Sequence, residues 1–249
     1  MQYHWLNKAD NDKLIVFFAG WSFDYKPFEF LNCEDSDVLM IYDYNIISDI
    51  DEILQSVILS DSEESHKIRP QNDNFYKHKY LITWSMGVFV AYLLRNSLPE
   101  FDKKIAINGT IFPVDDNFGI PQKPFLLTLK HARIGLEGKF YKNIFNKNEE
   151  YERYTKSPVS RSIENRINEL NELYKLIKEN SNKNLDILNQ VQNDNLFEKY
   201  YDKAIVSLSD KIIPPKNQIN FWQTFETPFE TIESGHFPYY NFKSWKELL

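Results

Sequence analysis

Lys79-Tyr80-Leu81-Ile82-Thr83-Trp84-Ser85-Met86-Gly87-Val88-Phe89-Val90-Ala91-Tyr92-Leu93-Leu94 is the stretch whose reading decides the fold. An apolar run rich in β-branched and aromatic residues, Tyr80 to Trp84, stops at a serine; Val88, Ala91, Tyr92 and Leu94 then lie on neighbouring faces of a helix. The pattern is a strand, a sharp turn carrying one hydroxyl, and a helix. A serine at such a turn has a strained backbone and an Oγ pushed towards solvent. The next N–H, at the helix N-terminus, points where an oxyanion would form. Ser85 is therefore a candidate nucleophile. The strict form of this elbow is Gly-x-Ser-x-Gly, because residues two before and two after the serine approach each other closely. Gly87 fits, and Thr83 stands in the first glycine's place. A strand that merely enters a tight helix turn also produces Ser-x-Gly, so the case for chemistry needs the rest of the chain.

Upstream, Lys13-Leu14-Ile15-Val16-Phe17-Phe18-Ala19 is a continuous apolar run of the kind a parallel strand shows when both faces are covered. It ends at Gly20-Trp21-Ser22-Phe23. A short helix is expected from Pro27 to Leu31, a second strand over Ser36 to Tyr44, and an amphipathic helix from Asp49 to about Leu59, with Ile50, Ile53, Leu54, Val57 and Ile58 on one side. Ser60 to Lys77 is polar and reads as a surface insertion. Downstream, Lys104 to Thr110 is another short buried strand. This alternation predicts a doubly wound, mostly parallel α/β sheet whose ligands gather at the strand C-termini.

From Phe112 to Asn184 strands vanish, and helical stretches run around Phe125 to Leu136 and over Ser162 to Ile177. The division expected is a core of residues 1–111 and 191–249 with an inserted helical lid at 112–190. The sheet resumes at Tyr201 to Asp210, where Lys211-Ile212-Ile213-Pro214-Pro215 turns the chain. Asn217 to Trp222 reads as helix and Phe225 to Ile232 includes a last strand. Glu233-Ser234-Gly235-His236-Phe237-Pro238 follows it.

Composition narrows the function. At 249 residues the chain suits one domain with a lid, and 42% apolar content with 16% aromatic excludes a disordered chain. A net charge of −7 argues against a general nucleic-acid binder. Cys33 is the single cysteine, which excludes an intrachain disulfide and makes a reducing cytoplasm the expected compartment; Cys33 itself reads as structural. Met1-Gln2-Tyr3-His4-Trp5 lacks the basic-then-apolar pattern of an export signal, and no apolar run is long enough to span a membrane. The abundance of Asn, Lys and Ile matches an AT-rich coding bias, so the asparagines are given no functional weight. Residues 123–183 hold 13 Lys or Arg against 8 Asp or Glu, a balance of +5 that leaves −12 for the rest. This basic segment is either a docking surface or a set of solvated helix faces.

A serine hydroxyl needs a base to take its proton, and the base needs a third group to hold its tautomer. Ser85, His236 and Asp210 supply these types, each after an expected strand and in the chain order Ser, Asp, His of an α/β-hydrolase. A surface histidine and a turn-capping aspartate are the plainer readings of the last two. His4, His66, His78 and His131 are weaker candidates. No metal-ligand spacing occurs and no glycine-rich nucleotide motif is present, so neither a metal nor a cofactor is expected. The backbone N–H groups of Met86 and Trp21 occupy the sequence positions of the two oxyanion donors, although Trp21 also suits a pocket wall.

Phe17-Phe18-Ala19-Gly20-Trp21-Ser22-Phe23, Tyr42-Asp43-Tyr44, Thr83-Trp84-Ser85-Met86-Gly87-Val88, Asp210 and Ser234-Gly235-His236 together resemble the BioG family of α/β-hydrolases. The resemblance covers the core at both ends of the chain and is thin over 60–77 and much of the lid. It implies demethylation of pimeloyl-ACP methyl ester in biotin precursor synthesis, through a pimeloyl-enzyme on Ser85. It also implies an acidic acyl carrier protein as partner, docked by lid cations such as Arg133, Arg153, Arg161 and Arg166. The alternatives are a generic small-acyl carboxylesterase or thioesterase and a non-catalytic hydrolase-fold binding module.

Overall fold

Strands covered on both faces explain why the apolar runs show no polar alternation. In the computed structural model, which describes residues 1–9, 11–47, 50, 53, 76–192 and 199–249, β2 (Lys13–Phe18), β3 (Asp37–Tyr42), β4 (His78–Trp84), β5 (Lys103–Ile107), β6 (Lys203–Ser207) and β7 (Phe229–Ile232) pair in parallel. Leu14 to Phe18 and Val38 to Ile41 are wholly excluded from solvent. The seventh strand, β1 (Gln2–Asn7), is antiparallel to β3 at the sheet edge and was not expected. Its residues are mostly half-exposed, so the N-terminal segment carries too little apolar pattern to register as a strand.

The strand order is β1-β3-β2-β4-β5-β6-β7. The chain leaves β2 for β3 on one side and passes from β4 to β5 on the other. The connections therefore diverge between β2 and β4, the point in such a sheet where a crevice opens at the strand C-termini. The turn Gly20-Trp21-Ser22 follows β2 and Ser85 follows β4, so both stand at that crevice.

Helix α1 (Met86–Leu93) runs from the β4 turn and is buried along almost its whole length. The short helix expected after β2 is a single 3-10 turn, Lys26–Phe28, with Pro27 fixing its start. Ile50 and Ile53 are buried; the remainder of the helix expected over Asp49 to Leu59, and the polar stretch after it up to residue 75, lie outside the described residues.

Between β5 and β6 come α2 (Gln122–Gly135), a π-helical turn over Leu136–Phe140, α3 (Tyr141–Ile144), α4 (Asn148–Tyr154) and α5 (Ile163–Gln192). Helix α5 is longer than the periodicity up to Ile177 suggested. It starts where the Ser162 hydroxyl accepts the Asn165 N–H at 3.2 Å, an N-cap bond. Leu170, Leu173 and Ile177 form its buried stripe. Helix α6 (Pro215–Thr224) carries Phe221 and Trp222, which with Phe225 at its end cluster with Ala204 and Val206 of β6.

Candidate active site

The turn after β4 gives Ser85 a backbone of φ 56° and ψ −124°, outside the regions an L-residue ordinarily populates. The surroundings hold it there. A Cβ on Gly87 would lie 2.4 Å from the Phe18 carbonyl oxygen, so only glycine lets α1 approach β2 this closely. Thr83 stands in the first glycine's place, and its hydroxyl donates to Ile105 O at 3.1 Å within the sheet. The close approach falls instead on Gly109 at the end of β5, where a Cβ would meet Ser85 O at 2.5 Å.

Three of the expected residues come together. Ser85 Oγ lies 2.8 Å from His236 Nε2, and His236 Nδ1 lies 2.8 Å from Asp210 Oδ2. Asp210 follows β6, and its second oxygen accepts the N–H groups of Ile212 and Ile213 at 2.8 and 3.0 Å. Gln218 Nε2 donates to Asp210 Oδ2 at 2.9 Å. All three members are buried or nearly so. This bonding fixes Asp210 as an acceptor for the Nδ1 proton, which leaves Nε2 free to accept from the serine.

The loop bearing His236 is tied down by its backbone. Its carbonyl accepts Trp84 Nε1–H at 2.8 Å and Asn108 Nδ2 at 2.9 Å. Asn108 also donates to Ser207 Oγ at 2.8 Å and accepts Ser207 N–H at 2.7 Å through Oδ1. It is buried and has φ 45°. Setting the asparagines aside thus missed a residue that joins the ends of β5 and β6 to the histidine loop. The Asn108-Gly109 pair after an apolar strand was the available signal, since Asn and Gly best tolerate positive φ.

Met86 and Trp21, the expected oxyanion donors, lie beside Ser85 on the wall of one cavity of about 500 Å³. Neither backbone N–H donates to an acceptor among the described residues. The cavity walls are mainly apolar, with Phe125, Leu136, Phe140, Ile144 and Leu170 coming from the helices between β5 and β6. Lys139, His131 and Lys211 add cationic or titratable groups to the lining.

The four arginines assigned to docking separate into two pairs. Arg133 is exposed and paired with Glu164 at 2.9 Å, and Arg153 is exposed with its guanidinium 4.2 Å from the Phe30 and Tyr240 ring centroids. Arg161 and Arg166 correct the expectation. Arg161 has its side chain 6% exposed and is paired with Glu169 at 2.9 Å and Asp43 at 3.2 Å. Arg166 is buried and donates to Tyr141 Oη at 2.8 Å. Both charges are spent inside the molecule and present nothing to a docking partner. Burial pushes the Glu169 carboxyl above its ordinary value, against the opposing pull of Arg161. Glu169, like Gln218, was missed, because a polar residue on a helix is read from sequence as solvated.

Among the described residues no cluster of three or more His, Cys, Asp or Glu is placed to hold a metal, and no helix is long and apolar enough to cross a membrane.

Comparison with known proteins agrees with this architecture. The family model for pimeloyl-ACP methyl esterase BioG matches residues 70–248. An uncharacterized protein of Haemophilus influenzae is 29% identical over 238 residues, 95% of this chain and 94% of that protein. The malonyl-[acyl-carrier protein] O-methyltransferase of Bacteroides fragilis is 28% identical over 224 residues, 90% of this chain, and the match spans only 39% of that longer protein. The crystal structure of BioG from Haemophilus influenzae superposes with a TM-score of 0.75 at 27% identity, covering 100% of this chain and 99% of that one. A lipase-esterase related protein from Clostridium acetobutylicum superposes with a TM-score of 0.60 at 17% identity, over 95% and 92% of the two chains, a likeness of fold. The fold is that of the α/β-hydrolases, and the chain belongs to the pimeloyl-ACP methyl esterase BioG family.

Proposed function

We propose that this protein is a serine carboxylesterase that hydrolyses the methyl ester of a pimeloyl group carried on acyl carrier protein, releasing methanol and leaving the free acid on the carrier. The observation that carries the reading is the hydrogen-bonded chain from Ser85 Oγ through His236 to Asp210, opening on an apolar cavity in a BioG family member. Ser85 Oγ attacks the ester carbonyl while His236 Nε2 takes its proton. The oxyanion is received by the N–H groups of Trp21 and Met86, neither of which donates to an acceptor among the described residues. Collapse expels methoxide, protonated by His236, and leaves a pimeloyl-Ser85 ester. Water, deprotonated by His236, then attacks that ester and frees Ser85.

In this reading residues 112–190 act as a lid over the core of 1–111 and 191–249, and their apolar side chains receive the acyl chain. The carrier, an acidic protein, is met by the exposed cations Arg133 and Arg153 and by α2. That helix exposes Lys123 and Lys130 beside Leu126, Leu127 and Ile134, and its Leu127, Thr128 and His131 line the cavity. An ACP-related methyltransferase among the relatives supports a carrier-borne methyl ester as substrate.

The test is methanol release from purified pimeloyl-ACP methyl ester set beside free dimethyl pimelate, with a fluorophosphonate probe to report an activated serine. Labelling at Ser85 and a marked preference for the carrier-bound ester are expected. Equal rates on both esters would indicate a generic esterase, and failure to label or to turn over either ester a binding module.

A further inference from the structure

Helix α5 holds the turn that carries Trp21 through one buried carboxylate. The Ser22 N–H donates to Glu169 Oε2 at 3.0 Å and the Tyr44 N–H donates to Glu169 Oε1 at 2.9 Å. Both oxygens of one side chain are thus committed to the turns that end β2 and β3. Arg161 Nη1 lies 2.9 Å from Oε2 and also donates to Phe23 O at 3.2 Å, the next residue of the same turn. Its Nη2 faces Asp43 Oδ1 at 3.2 Å, and Asn165 Nδ2 donates to Asp43 Oδ2 at 3.1 Å. Ser22 and Asp43 have φ of 74° and 60°. Two turns whose left-handed residue is not a glycine therefore stand side by side, each held by groups from α5 and the residues just before it.

Trp21 lies between two such anchors. Its indole Nε1–H donates to Arg166 O on α5 at 2.7 Å, and the peptide that follows it is the one bonded to Glu169. Its own N–H is left without an acceptor among the described residues, and its side chain lines the cavity with Ser85. A backbone donor serves an oxyanion only when it lies within about 2.7–3.1 Å of the developing charge, so a modest rotation of this turn would remove it. Glu169 and Arg161 do not line the cavity.

We infer that Glu169, with Arg161, is a positioning residue for the oxyanion site: the buried pair sets the Trp21 backbone against Ser85 and so governs the rate of acyl transfer without touching substrate. This rests on the reading of Ser85 as nucleophile and of Trp21 N–H as oxyanion donor. Because the pair contributes nothing to the cavity wall, its loss acts on the transition state and spares ground-state binding.

The experiment compares wild type, Glu169→Gln and Arg161→Lys on p-nitrophenyl acetate and on pimeloyl-ACP methyl ester, with thermal melts and the affinity of an alkyl trifluoromethyl ketone, which forms a tetrahedral adduct on serine. Glu169→Gln keeps the shape but turns an amide NH2 towards one of the two backbone donors. The expected result is kcat lower by about 10²-fold for Glu169→Gln and by about tenfold for Arg161→Lys, on both substrates, with KM held within about twofold. Ketone affinity should fall in parallel with kcat/KM. A lowered melting temperature with unchanged kcat per folded molecule, or a loss confined to KM, would overturn the inference. Should Glu169→Gln accumulate unfolded, Arg161→Lys decides by the same readouts. Ser85→Ala is run alongside: full activity there would sink the nucleophile reading and this inference with it, whereas a dead Ser85→Ala beside fully active Glu169 and Arg161 variants would sink the inference alone.

Discussion

The Asn108 side chain donates to the His236 carbonyl oxygen at 2.9 Å, so the last residue before Gly109 holds the loop on which the histidine is carried. Through its Oδ1 it also takes the Ser207 N–H at the end of β6. Asn108→Leu keeps much of the volume and deletes every one of these bonds, leaving the Ser207 N–H buried and unpaired. The cost expected is about 1–3 kcal/mol of stability for that stranded donor, read as a lower urea midpoint. A fall in kcat larger than the fall in folded fraction should accompany it, because His236 loses a restraint on its backbone. An unchanged kcat in the folded variant would show that the loop's other bonds, among them Trp84 Nε1–H to His236 O and Phe237 N–H to Ile144 O, suffice to hold it.

Ser85→Ala and His236→Ala should each lower turnover by about 10³-fold or more, and the double variant should be scarcely worse, because in the proposed mechanism nucleophile and base act as one unit. Asp210→Asn is expected to cost less than either. It nevertheless places an amide NH2 among donors, since Asp210 accepts from Ile212, Ile213, Gln218 and His236. Single-turnover kinetics with calorimetric checks of folding would test the order. Greater sensitivity at another acid, such as Asp202 or Glu226, would remove Asp210 from the proposed triad.

Glycines at the elbow and at the end of α2 should respond oppositely to alanine. At Gly87 a Cβ meets backbone oxygen at 2.4 Å, and nothing there is a flexible side-chain end; Gly87→Ala should displace the elbow and lower both the melting temperature and activity. Gly135 and Gly138 have nothing within 4 Å of an added Cβ. Gly135→Ala, at the end of α2, should be neutral or stabilise by up to about 1 kcal/mol through helix propensity. Thermal melts of the two variants, with wild type, make the comparison.

The Cys33 thiol is pushed up to about 11, chiefly by burial and secondarily by the Asp37 charge. Its alkylation by iodoacetamide should be slow at pH 8 and rise about tenfold per pH unit until the thiolate is formed near that value, because only the thiolate reacts. As the single cysteine, it gives an unambiguous mass shift. Rapid alkylation at pH 7 in the folded protein would contradict the burial argument.

Reversing exposed cations on and near α2, as in Lys123→Glu, Lys130→Glu or Arg133→Glu, should raise KM for the carrier-bound ester and leave kcat on a small ester nearly unchanged. The same reversal at Arg161 should instead unfold or inactivate the protein, because its charge is paired inside. Salt should weaken the carrier-bound reaction alone, since screening acts over about 8 Å at physiological ionic strength. A rate indifferent to salt and to these reversals would mean that the basic helices are a solvated surface only.

The elements legible in the sequence are those whose signal is local. Leu14 to Phe18 and Val38 to Ile41 are unbroken apolar runs, and Leu81 to Trp84 is broken only by Thr83, because both faces of each strand are covered, and that requirement is written into consecutive residues. Ser85, Asp210 and His236 were legible as candidates because each comes after a strand at its C-terminal end, so position along the chain stands in for position in space. Strand β1 escaped notice, since an edge strand that is half in water needs no apolar run.

Tertiary structure alone decided which side chains meet. Periodicity places Arg161, Arg166 and Glu169 within one basic helical segment, and nothing in it distinguishes a charge facing water from one facing a buried carboxylate. That distinction depends on the turns after β2 and β3, far away in sequence, being brought against α5. The same holds for Asn108 and Gln218, whose partners come from β6, the histidine loop and the turn at Asp210. The chain by itself determined the parallel α/β sheet and the order of the three candidate catalytic residues, because burial and strand ends leave local marks; the supports of those residues were decided only by folding, because a hydrogen bond between distant segments leaves none.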